Sequence, residues 1–161
     1  MISSSFAQQV QFGIRTGINN NHKEKLDLSV YEIYIHTFPP IYSIADNIFN
    51  PLDISFETAL GVVSDKTNNS VLFSLGPTLK MIHYENIVSV SIGLKPSLIT
   101  NHIFNDFDLG GTFNFKSSAA LTTSLIKNIN FGYRFEHISN AGLYEKNPGI
   151  NFHFVDIVYV L

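Results

Sequence analysis

Large apolar side chains recur at every second position of this chain, in about eight separate stretches. A period of two is the repeat of a β-strand, whose successive side chains point to opposite faces; an amphipathic helix repeats at 3.6. Around 9–18, Val10, Phe12, Ile14, Thr16 and Ile18 share one face, and Gln11, Gly13, Arg15 and Gly17 share the other. The alternation returns around 26–38, 53–64, 70–82, 86–100, 108–126, 129–139 and 149–161, where Val158 and Val160 blur it. No uninterrupted apolar run approaches the ~20 residues that a membrane-spanning helix needs.

The two faces differ in kind. One is bulky and apolar throughout. The other is rich in Gly, Ser and Thr and also carries Arg15, Lys80, Lys95, Lys116 and Arg134 beside Glu32, Glu57, Glu136 and Asp156. A soluble barrel would turn its apolar face inward and set many Lys and Glu in water, yet only 14% of this chain is charged. Small polar residues with nearly balanced charges suit a cramped interior in which the charges pair. The expected fold is therefore all-β: an eight-stranded antiparallel up-and-down transmembrane β-barrel of the outer-membrane type, its apolar face in lipid. An interior with room only for side chains implies no channel. A soluble lipid-carrying barrel is the rival, and it predicts folding in water without detergent.

The 161 residues make one domain, placed at 8–161. Met1–Ala7 (MISSSFA) reads as the remnant of a trimmed signal, with Ser5 and Ala7 suiting the last positions before a cut, and equally as an unstructured start. Polar loops at Asn19–Lys25, Asp65–Asn69 and Asn101–Asp106 fall on alternate links, with short turns at His83–Asn86 and Lys127–Asn128 opposite. Pro39–Pro51 is long for a turn on the short-turn side. Fourteen Phe and seven Tyr can form the interfacial girdle in the absence of Trp.

Composition narrows function. A net charge of -3 with no basic cluster offers nucleic acid no footprint. There is no cysteine, and His83, His102 and His153 lack metal-ligand spacing with carboxylates, so neither metal nor cofactor is expected. Gly110-Gly111 has no phosphate-loop context and reads as a bend or bulge.

Chemistry concentrates in Arg134–Asn151, RFEHISNAGLYEKNPGIN. In a strand His137 and Ser139 share a face, with Cβ atoms about 7 Å apart by strand rise. An imidazole there can take a hydroxyl proton, which is the base–nucleophile pair of acyl transfer. Parity with Phe131, Tyr133 and Phe135 sets both on the lipid side, where polar groups are costly and tend to be functional. With both termini periplasmic, the seventh strand ends at Ser139 beside the outer leaflet, which holds lipopolysaccharide.

HISNAG followed by NPGIN, on the last two strands of a small barrel, resembles the PagL family of lipid A 3-O-deacylases, and Phe113–Lys116 (FNFK) resembles that family's sixth strand. The likeness is sharp over Glu136–Phe152 and otherwise rests on strand count and length. It implies Ser139 as nucleophile, His137 as general base, and Asn140 with the backbone N–H of Gly142 as oxyanion donors. The substrate implied is lipid A of lipopolysaccharide, the location is the bacterial outer membrane with the site at the outer leaflet, and homodimers occur in the family. One position departs from the pattern: the family's last-strand glutamate is Asn151 here. Either Asn151 orients His137 as an amide, or Glu145 in the loop substitutes, or activity is reduced. The alternative function is a non-catalytic structural or adhesive barrel with a degenerate site.

Overall fold

The computed structural model describes residues 10–19, 26–37, 43–44, 52–84 and 87–161. Met1–Ala7, Asn20–Lys25, most of Pro39–Pro51, and Glu85–Asn86 lie outside the described residues, and with them the expectations for the signal remnant and the long proline-bounded link. Within that segment, Ser43–Ile44 forms a two-residue strand against Leu52 and Asp53.

Eight long strands make the barrel: β1 Val10–Asn19, β2 Ser29–Thr37, β3 Leu52–Ser64, β4 Asn69–Tyr84, β5 Val88–Ile99, β6 Phe113–Ile126, β7 Ile129–Ser139 and β8 Ile150–Val160. Each pairs antiparallel with the next, and β8 pairs with β1 from Gln11↔Val160 to Asn19↔Phe152, so the sheet closes on itself. Closure leaves no unpaired edge, the condition for a sheet to cross hydrocarbon. No helix of the described residues is long and apolar enough to cross a membrane. The strands do the crossing.

Alternation sorts the side chains as the period of two requires. Tyr31, Ile33 and Ile35 stand exposed on the outer wall while Glu32, Tyr34 and His36 are buried in the lumen, and the pattern repeats around the barrel. Midway along the lumen the charges pair. Arg15 bonds Glu32, and it also reaches Glu57 at 2.8 Å. Lys95 meets Glu57 at 2.6 Å, Lys116 lies 2.6 Å from Glu32 and 2.8 Å from Glu136, and Arg134 lies 3.1 Å from Asp156. Charges withdrawn from water require such partners.

The loop-side half of the lumen differs from the polar interior expected of it. Leu28, Val30, Leu72, Ile99, Ile138, Ile150, Phe152 and Phe154 form an apolar cluster. Phe104 and Phe107 complete it from a small hairpin, Ile103–Phe104 against Phe107–Asp108, folded over the mouth. On β8, Phe152 and Phe154 point into this cluster, and Val158, where the alternation is blurred, points in further along the strand against Tyr34 and Ala59. Ile138, Phe152 and Phe154 thus stand directly behind the outward residues His137, Asn151 and His153.

Candidate active site

The site is built on β7 and β8 where they leave the barrel at the loop end. Arg134, Glu136, Ile138 and Asn140 are buried, which turns Tyr133, Phe135, His137 and Ser139 to the outer wall. The register sets Asn151 directly opposite His137. His137 Nδ1 and Asn151 Oδ1 are 2.7 Å apart. An amide oxygen only accepts, so Nδ1 carries the hydrogen and Nε2 keeps its lone pair. Gly149 makes room for the ring: at φ +64, a methyl group there would lie 2.7 Å from His137 Cε1 and 3.1 Å from Nε2. Ser139 follows on the same strand face. Among the described residues no hydrogen bond joins it to His137, and contacts of this kind commonly close only with substrate seated.

The loop after Ser139 explains most of the remaining motif. Asn140 is fully buried, and its Nδ2 donates to the carbonyls of Leu109 at 2.8 Å and Lys146 at 2.6 Å. Its Oδ1 accepts from Gly142 N at 2.9 Å, and its own N–H donates to Asn147 Oδ1 at 3.1 Å. The amide of Asn140 is therefore engaged within the loops. Gly142, at φ +81, has open space beside its Cα. Gly110 is more than a bend: at φ +92, a methyl group there would sit 2.0 Å from the Lys146 carbonyl oxygen. Gly111 likewise leaves room for the Tyr144 ring.

Asp108 ties the two loops together. Its carboxylate accepts from Gly110 N and Lys146 Nζ and bonds His102 Nδ1, at 2.8, 3.0 and 2.8 Å. The backbone bond from Gly110, with Lys146 and His102 beside it, pulls Asp108 down to about 2. Glu145 is exposed in the same loop, and His137 bonds Asn151 instead.

Two further outward polar residues stand beside the site, neither of which sequence reasoning placed there. Ser117 on β6 is exposed and directly opposite His137 across the β6–β7 pair. His153 stands two residues below Asn151, its Nδ1 2.5 Å from Tyr133 Oη and its ring edge-on to Phe135. The signal for Ser117 was available: Phe113 and Phe115 share its parity, so a serine at 117 must face lipid. Ser117, His137, Ser139, Asn151 and His153 together form a polar patch on an otherwise bulky apolar wall.

Comparison with known proteins agrees with this architecture. A family model described as lipid A 3-O-deacylase (PagL) matches residues 36–160. The crystal structure of the outer membrane enzyme PagL superposes with a TM-score of 0.70 at 15% identity, covering 94% of this chain and 98% of that one. A de novo designed transmembrane β-barrel gives a TM-score of 0.62 at 9% identity, covering 96% of each chain. Neisserial surface protein A gives 0.56 at 8% identity, covering 94% of this chain and 95% of that one. No curated protein sequence matches the chain. At these identities the structures show a shared fold, while the family match spans well over half the sequence: this chain belongs to the lipid A 3-O-deacylase (PagL) family of outer-membrane β-barrels.

Proposed function

We propose that the barrel is an esterase that removes an ester-linked 3-hydroxyacyl chain from lipid A, acting from the outer leaflet. One observation carries the reading: His137, held by Asn151 at 2.7 Å, projects with Ser139 from the lipid-facing wall beside the loop end of the barrel. Such a position suits a substrate that arrives sideways through the membrane.

His137 Nε2 takes the Ser139 proton as Oγ attacks the acyl carbonyl. The tetrahedral intermediate collapses, the sugar oxygen leaves with that proton, and the acyl group stays on Ser139. Water then attacks, gives its proton to Nε2, and the fatty acid departs as Oγ is reprotonated. Oxyanion support is narrower than the sequence suggested. Asn140 shapes the turn, and the exposed Gly142 N–H is the donor that an oxyanion can take over from Asn140 Oδ1. Asn151 fixes the histidine tautomer without the charge a carboxylate would add. No step calls for a metal or cofactor.

The test is to fold the barrel in detergent, add lipopolysaccharide and weigh the lipid A. The expected result is loss of one hydroxyacyl mass with the native chain and none with Ser139→Ala. No loss, or equal loss in both, overturns the reading. The amide at position 151 favours one second reading, a structural barrel with a degenerate site. Inactivity of both the native chain and Asn151→Glu would select it.

A further inference from the structure

We propose that Ser117 contacts the substrate and selects for an acyl chain that carries a hydroxyl close to the scissile ester. The inference rests on the esterase reading and adds a residue to it. A hydroxyl pointing into hydrocarbon is costly unless something bonds it. Within the polar patch, His137 and Asn151 bond each other, His153 bonds Tyr133, and Ser139 is the nucleophile. Ser117 has no hydrogen bond among the described residues.

Its position suits a ligand oxygen. Ser117 and His137 are directly opposed, which sets their Cβ atoms roughly 5 Å apart. Ser139 pairs with Phe115, so Ser117 lies one strand over and one side-chain step inward from the nucleophile, about 8 Å between Cα atoms from strand rise and spacing. A carbonyl carbon in attack position sits about 3 Å from Ser139 Oγ. A hydroxyl two carbons further along the chain then falls between the two serines, within reach of Ser117 Oγ. The next outward residue on β6 is Ala119, and its single methyl lets the chain continue along the wall. On the opposite flank, over β8, Asn151 and His153 already have partners.

The experiment compares kcat/KM for a 3-hydroxydecanoyl ester and a decanoyl ester of one alcohol, in detergent micelles, using the native barrel, Ser117→Ala and Ser117→Thr. The native chain should prefer the hydroxylated ester roughly five- to tenfold, the value of one neutral hydrogen bond. Ser117→Ala should erase that preference by slowing only the hydroxylated ester, and Ser117→Thr, which keeps a hydroxyl, should retain it. Because Ser117 faces outward, the variants should show the native heat-modifiable gel shift. An undiminished preference in Ser117→Ala, or an equal fall with both esters, overturns this assignment and leaves the esterase reading standing. A native barrel that cleaves neither ester overturns both.

Discussion

At position 151 a carboxylate would both orient His137 and stabilise the imidazolium formed when the serine proton arrives; the amide present accepts from Nδ1 and adds no charge. Asn151→Glu is therefore expected to raise kcat/KM by roughly tenfold or more, and Asn151→Leu to lower it by a similar factor, as the ring loses its tautomer and its anchor. Deacylation rates measured on one lipopolysaccharide preparation separate the three forms. Gly149 gives a second check. Its absent side chain is the space that the imidazole occupies, so Gly149→Ala should displace the ring and cost about 100-fold in activity while the barrel still folds. Unchanged activity would mean that His137 works from another position.

The informative element is the pair of loops clamped by Asp108 and Asn140. Asn140 bonds carbonyls on both, and Asp108 joins His102, Gly110 and Lys146. The folded carboxyl of Asp108, held near 2, lies below its ordinary value of 3.8. Its stabilising effect is thus complete above about pH 4 and is lost as pH falls through 2. Pepsin, which works in that range, should spare the 100–111 and 140–149 loops at pH 4 and cut them near pH 2. Asp108→Asn should make them susceptible at pH 4 already. Cleavage of the native loops at pH 4 would show that the clamp is not what orders them.

For the whole molecule, two opposite substitutions test which face meets which solvent. Glu57 sits in the lumen between Arg15 and Lys95, so Glu57→Ala takes from buried Lys95 its carboxylate partner, leaves Arg15 with Glu32 alone, and should destabilise the barrel by about 3–5 kcal/mol. Leu60, three residues further along β3 on the outer wall, is half-exposed. Leu60→Arg puts a charge into lipid and should cost about 2–4 kcal/mol if the residue lies near the bilayer midplane. Reversible urea unfolding in lipid vesicles measures both. A neutral Leu60→Arg would return the apolar wall to water and revive the soluble-barrel alternative.

The sequence by itself determined the strand count, the two faces and the outward placement of His137 and Ser139, because alternation is a local property that parity carries along each strand. Parity also implied the outward Ser117, while its place opposite His137 is visible only once β6 is set beside β7. Tertiary structure decided the rest. Gly110 and Lys146 are 36 positions apart, and no local pattern states that a glycine at 110 exists to admit the Lys146 carbonyl. Asn140 carries the family motif, yet only the arrival of Leu109 and Lys146 spends its amide on the loop. The apolar upper lumen was hidden for a related reason: parity with Asp156 turns Phe152 and Phe154 inward, but only closure of the barrel brings them against Leu28, Leu72 and Phe104.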